Sequence, residues 1–480
     1  MNTLLTLSGT RLAEMIRHRE VTSLEVVEVH IDHIQRVNPL LNAVVKDRFD
    51  QAVREAKAAD QLSGSSGAEA LPVFHGVPCT IKECFSLEGM PNTSGLMSRK
   101  GIFAREDATA VARLRKAGAI PLGVTNISEL CMWMESNNRV YGRTHNPYNP
   151  KRIVGGSSGG EGAIIGAGGS PFGLGSDIGG SIRGPAFFNG VFGHKPTGGM
   201  VPGTGQFPIA ENEALRYLAT GPLARRAEDL MPLLRILAGP DGKDTGCTPF
   251  EIADPAQVAI KDLTVVDVED NGVLKVSKDL RAAQRRCADE LSRRGAHIKR
   301  VRIEGLKHSF DIWSSMLTAA KGTPFGTLLG EGKPINPGSE LLRLLLRRSP
   351  HTLPAIALAL LEKLPKLTTG RTRRFVEVGH ALRNELVELI GPKGVMLYPP
   401  YVSAAPPHNK PLLPPFNWVY TAIINVMELP STQVPLGLND EGLPLGVQVI
   451  GVHGNDHLTI AVAMELEKAF GGWVPPPHYR

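Results

Sequence analysis

Two serines and a lysine carry the chemical interest of this chain. The serines lie in the run from Gly155 to Thr197, which holds 15 glycines and five serines in 43 residues. Glycine loses more conformational freedom on folding than any other residue. Such density points to a backbone in use, for left-handed turns or for close approach of N–H groups to a ligand. Ser157 lies in Gly-Gly-Ser-Ser-Gly, which satisfies the G-x-S-x-G pattern of a nucleophile elbow. That elbow needs a strand directly before the serine, and an acid and a histidine downstream. Here a proline-broken loop, NPYNPKRIVGG, comes first, and no downstream pair stands out. A Ser–His–Asp esterase on Ser157 stays open as an alternative. Ser181 closes Asp177-Ile178-Gly179-Gly180-Ser181, where a predicted strand gives way to a predicted helix. In such a turn, backbone N–H groups and the helix dipole converge on a developing oxyanion. Read without chemistry, the same turn is an anion-binding or structural feature. Lys82 follows directly on the apolar run Val77 to Ile81. A lone lysine is ordinarily a solvated side chain, but Ile81, Cys84 and Phe85 around this one weaken that reading.

The elements needed to hold these residues follow from periodicity and punctuation. Thr22 with Glu25 opens a helix whose Leu24, Val27, Ile31 and Ile34 recur at helical spacing, and Pro39 is expected to end it. An alanine-rich helix follows over about 47–62, then buried strands at 77–81 and 119–126 on either side of a helix over about 107–117. SELCMWMES reads as a short helix bearing Met132, Trp133 and Met134, a stripe that suits either core or an apolar substrate pocket. Strands near 172–174, 263–270, 297–303 and 395–400 alternate with helices near 226–237, 278–294, 417–426 and 458–470. Two further strands are joined by a turn at 439–442. Strand–helix alternation predicts an α/β sheet covered on both faces. Residues 305–375 are apolar and interrupted by Pro350, Pro354 and Pro365. They predict short broken helices, as an insertion over the core, a greasy lid over a substrate entrance, or a surface that dips into a membrane.

GGSSGG, then SDIGGSIRGP, then GVFGHKPT, resembles the signature of the amidase signature family of serine hydrolases. The lysine segment GVPCTIKECF and the closing LPSTQVPLGLNDEGLPLGVQVIG are similar to the family's other landmarks, and the match spans roughly residues 8–470. Within the family, IKECF, GMPNTSGLM, SELCMW, GSDIGGSIRGPAFFNG and FGGW resemble the fatty-acid amide hydrolases. The resemblance implies one α/β/α sandwich over 1–480 with a mixed central sheet, in which 305–375 is a helical insertion. It implies a Ser–cis-Ser–Lys triad: Ser181 as nucleophile, Ser157 as bridging serine and Lys82 as general base. Ser157 lies 75 residues after Lys82 and 24 before Ser181, which agrees with the family pattern. The N–H groups of Ile178, Gly179, Gly180 and Ser181 would form the oxyanion hole, with Asp177 and Arg183 holding the loop. Met132, Trp133 and Met134 would border an acyl channel. A lysine acts as a base only when neutral, and burial beside apolar groups favours that form. The implied reaction is hydrolysis of linear amides, fatty-acyl amides and aryl anilides among them, and by extension esters or carbamates, through an acyl-serine. A glutaminase subunit of a tRNA-dependent amidotransferase is the alternative within the family.

Composition bounds the partners. The chain has 480 residues and a formal net charge of +6 from 53 basic and 47 acidic side chains. The arginine clusters at 281–286, 343–348 and 371–374 fall in helical segments with no interleaved aromatic platform, so solvated faces are expected and nucleic acid is not. Five irregularly spaced cysteines with no Cys-x-x-Cys argue against a disulfide framework and a zinc site. The N-terminal residues do not read as a signal peptide, and no segment reaches the ~18 apolar residues of a membrane span. The expectation is a cytoplasmic enzyme of a small-molecule amide, with no metal or organic cofactor, no membrane anchor and, by analogy, a homodimeric assembly.

Overall fold

The computed structural model describes residues 2–65, 67–363, 369–413 and 416–479. Its centre is an 11-stranded sheet. The order across it is Val44–Asp47, Ile120–Thr125, Pro78–Lys82, Phe172–Asp177, Ala219–Ala224, Phe192–Lys195, Ser431–Leu438, Pro444–Ile450, Gly394–Tyr398, Thr264–Asp267 and His297–Arg300. The sheet is mixed. Pro78–Lys82 runs parallel to both its neighbours, the five strands from Ala219–Ala224 to Gly394–Tyr398 pair antiparallel, and the last two pairings are parallel again.

Register decides what meets what. Thr80 pairs with Gly173 and Ile81 with Leu174, so the carboxyl end of the lysine strand lies beside Ser176 and Asp177. All residues of Pro78–Lys82 and Phe172–Asp177 are buried, as are those of the helix Gly159–Gly166 that packs on both strands. Glycine permits this approach: a Cβ on Gly173 would collide with the Glu161 carboxylate, and one on Gly156 with the Trp133 carbonyl.

Several expectations change. The helix Ser23–Leu41 continues through Pro39 and ends only at Asn42, which adopts a left-handed conformation. Proline in a last turn forfeits a single bond, and the Asn38 side chain ties the exit down by accepting from the N–H groups of Ala43 and Val44. SELCMWMES is not a helix beyond the single turn Glu129–Cys131, because Leu130 and Cys131 both take positive φ. The strands Phe192–Lys195 and Ala219–Ala224 sit in mid-sheet although neither reads as one: Gly221 and Pro222 argue against a central strand.

Residues 305–375 do form separate helices, Ser309–Ala319, Phe325–Leu329, Pro337–Leu345 and Leu353–Lys363, with Pro354 in the first turn of the last; Pro365 lies outside the described residues. The segment runs on into the 22-residue helix Thr369–Ile390, and Ser309–Ala319 packs on that helix and on Val419–Val426. Leu342, Leu345 and Leu346 stay on the surface. Members of the three arginine clusters are partly neutralised, as in Arg285–Glu269, Arg343–Glu340 and Arg371–Asp311. No helix among the described residues is long and apolar enough to cross a membrane.

Candidate active site

Lys82 is completely buried at the end of its strand. Its Nζ donates to Ser157 Oγ at 2.7 Å, to Ser176 Oγ at 2.9 Å and to the Ser176 carbonyl at 3.3 Å. Ser176 escaped the sequence reading; its place next to Asp177 was the available signal. The Gly156–Ser157 peptide bond is cis. Ser136 clamps this corner: its hydroxyl donates to the Ser157 carbonyl at 3.1 Å and accepts from the Gly159 N–H at 2.9 Å. The N–H of Ser158 donates to the Ser181 carbonyl at 3.2 Å, which ties the two serine segments together.

Ser157, Ser176, Ile178 and Ser181 open into one cavity of about 910 Å³. Its walls are mostly apolar, with Met132, Ile209, Phe310, Leu317, Phe325 and Leu328 among them. Charged side chains, including Glu211, Asp311, Lys321 and Arg371, also line it, and Asp311 and Arg371 pair at 3.2 Å. Of the three residues expected along an acyl channel, Met132 alone lines this cavity. Trp133 faces a separate depression with Asn137 and Leu353, and Met134 packs on the core. The positive φ of Leu130 and Cys131 turns the chain here and breaks the helical stripe.

The turn before Ser181 is held by buried charge. Asp177 Oδ1 accepts from the Gly180 N–H at 2.7 Å and Oδ2 from the Ile182 N–H at 3.0 Å. Arg183 donates to the same carboxylate from Nε at 3.1 Å and Nη2 at 3.0 Å, and continues to Gln448 and Asn425. Burial opposes the charge of Asp177, but the Arg183 guanidinium and these N–H donors hold its carboxyl well below the usual carboxylate range. The Gly180 N–H is thus committed to Asp177, which removes it from the expected oxyanion set. Among the described residues no acceptor meets the N–H groups of Ile178, Gly179 or Ser181. Gly180 has φ of +113°, and a Cβ there would strike the Thr421 hydroxyl, so only glycine fits.

Two carboxyls lie behind the lysine. Burial pushes Glu161 up to about 8, against hydrogen bonds from Thr80 and Thr125 and the charge of Lys82. Burial pushes Glu83 up to about 7, against hydrogen bonds from Thr93, Tyr141 and Ser94. Cys131, in the cavity wall, has its thiol held below the ordinary range first by the Cys84 side chain and then by Lys82, with burial opposing. Among the described residues no group of three or more His, Cys, Asp or Glu is placed to hold a metal ion.

The Amidase family profile matches residues 25–460. Fatty-acid amide hydrolase 2 of Homo sapiens is 47% identical over 98% of this chain and 91% of its own length. Indoleacetamide hydrolase of Bradyrhizobium diazoefficiens is 33% identical over 97% of this chain and 86% of its own. The solved structure of 6-aminohexanoate cyclic dimer hydrolase superposes with a TM-score of 0.82 at 26% identity, covering 99% of both chains.

Proposed function

The chain belongs to the amidase signature family of hydrolases, and on that premise we propose that it hydrolyses amides of apolar carboxylic acids through an acyl-enzyme on Ser181. The observation that carries the reading is the buried Lys82 Nζ to Ser157 Oγ hydrogen bond of 2.7 Å on the cavity that also exposes Ser181. Ser181 Oγ attacks the amide carbonyl carbon. Its proton passes to Ser157 Oγ, while Ser157 passes its own to the Lys82 amine, which serves as the base. The tetrahedral oxyanion takes hydrogen bonds from the N–H groups of Ile178, Gly179 and Ser181. Collapse breaks the C–N bond, and the proton returns through Ser157 to the leaving amine. Water then attacks the ester on Ser181 by the same route, releasing the carboxylic acid and restoring the serine.

Substrate class rests on the walls. Phe310, Leu317, Phe325 and Leu328 offer an acyl chain an apolar path, and about 910 Å³ is ample for a long one. The name of the human relative, fatty-acid amide hydrolase 2, favours the same class. Esters and carbamates of such acids fit the same chemistry. A rate comparison of p-nitroanilides tests this. From a two-carbon to a ten-carbon acyl group, kcat/KM should rise by about 100-fold or more, since each buried CH₂ contributes ~0.8 kcal/mol. A preference for the short, polar acyl group would overturn the assignment.

A further inference from the structure

Among the described residues no acceptor meets three N–H groups of the turn, those of Ile178, Gly179 and Ser181, and each belongs to a peptide unit whose carbonyl is anchored. In a trans peptide the carbonyl and the N–H point in opposite directions. Among the described residues the cis bonds are Gly156–Ser157 and Phe207–Pro208, so every peptide in this turn is trans. The Asp177 carbonyl accepts from Asn425 Nδ2 at 2.7 Å, which sets the Ile178 N–H. The Gly180 carbonyl accepts from the Gly184 N–H at 2.7 Å, which sets the Ser181 N–H. The Ile178 carbonyl accepts from the Trp313 indole N–H at 3.0 Å, which sets the Gly179 N–H. The intervening Gly179–Gly180 unit is used at both ends, by the Thr421 hydroxyl at 2.9 Å and by Asp177 at 2.7 Å.

We propose that Trp313 is a positioning residue for catalysis: its indole N–H holds the Ile178 carbonyl from behind and thereby aims the Gly179 N–H at the acyl oxygen. The assignment rests on the reading of Ser181 as nucleophile. Trp313 is suited to the task because its ring is fixed edge-on against Trp418, with centroids 4.6 Å apart at 78°. Trp418 in turn meets Phe310 at 6.3 Å. Trp313 lies in Ser309–Ala319, whose Phe310, Ser314 and Leu317 line the cavity. One helix of the 305–375 segment therefore both walls the acyl-binding space and orients a donor at the reacting end.

Trp313→Phe keeps an aromatic ring and removes the donor. The expected result is a fall of about 10- to 100-fold in kcat on a decanoyl anilide with KM within about threefold, the scale of a weakened oxyanion donor. A decyl trifluoromethyl ketone, whose adduct with Ser181 carries an oxyanion, should lose affinity by the same factor. Decanol, which carries none, should bind as before. Equal losses for ketone and alcohol, or an unchanged kcat, would overturn the proposal. If Trp313→Phe does not fold, the Trp313 indole N–H resonance of ¹⁵N-tryptophan-labelled wild type must shift on ketone addition and not with decanol; an insensitive resonance is equally contradictory. Failure of the underlying reading looks different, because the ketone then forms no adduct with wild-type Ser181.

Discussion

Lys82 shows what burial demands of a charged residue type. It has no solvent contact, and among the described residues its amine is met by two hydroxyls and a carbonyl and by no carboxylate within ion-pairing distance. The nearby carboxyl, Glu161, is engaged by Thr80 and Thr125 and pushed up to about 8 by burial. A proton on Glu161 keeps a negative charge away from the lysine amine. The consequence for stability has a definite sign. Glu161 is protonated in the folded chain up to about pH 8 but ionises near 4.5 when unfolded. The unfolded state therefore binds fewer protons between those values, and the contribution of Glu161 is full below about 4.5 and falls as pH rises. Glu161→Gln removes that dependence. Urea unfolding of both proteins at pH 5 and pH 7.5 should show the variant gaining on wild type by up to ~1.4 kcal/mol per pH unit. Parallel stability curves would contradict the assignment of a neutral Glu161.

Among the elements, the turn from Asp177 to Arg183 carries the greatest constraint. It ends a mid-sheet strand, opens a short helix, and is pinned from three directions by Asn425, Thr421 and Trp313. Gly180→Ala tests how far the backbone is fixed. Its φ of +113° is one that alanine adopts only with strain, and the added methyl meets Thr421. The expected outcome is a loss of ~1–3 kcal/mol in urea unfolding together with a fall of about 100-fold or more in the acylation rate; wild-type acylation would show that the turn is not shaped for the oxyanion. This turn also marks the reach of sequence reading. Ser157 and Ser181 stand out in one glycine-rich run through the G-x-S-x-G pattern and the turn before Ser181, while Asp177 and Arg183 are legible through the family resemblance. Lys82 is legible only through the family resemblance, since an isolated lysine after an apolar run is ordinary. Trp313, Thr421 and Asn425 lie 135, 242 and 248 residues from their hydrogen-bond partners in the turn. No local pattern records such a contact. Gly180 shows the converse: its type and place suggested a donor, and only the position of the Asp177 carboxylate reveals where its N–H goes.

Over the whole molecule, the alternation of strands and helices was enough to predict a covered α/β sheet, and the family resemblance predicted its mixed character. The order of the strands was hidden, because Ala219–Ala224 carries Gly221 and Pro222 and yet lies between two partners. The 305–375 segment was legible as broken helices and not as a supplier of Trp313. What the fold accomplishes is to bring Ser157 and Ser181 onto one cavity, with Lys82 buried at the end of a neighbouring strand and hydrogen-bonded to Ser157. The central claim is that Ser181, activated through Ser157 and Lys82, is the acyl acceptor. A long-chain fluorophosphonate followed by peptide mass mapping tests it most directly. One adduct per chain is expected, on Ser181, that vanishes in Ser181→Ala and forms far more slowly in Lys82→Ala; no adduct on wild type, or an adduct on Ser157, would overturn the assignment of Ser181 as nucleophile.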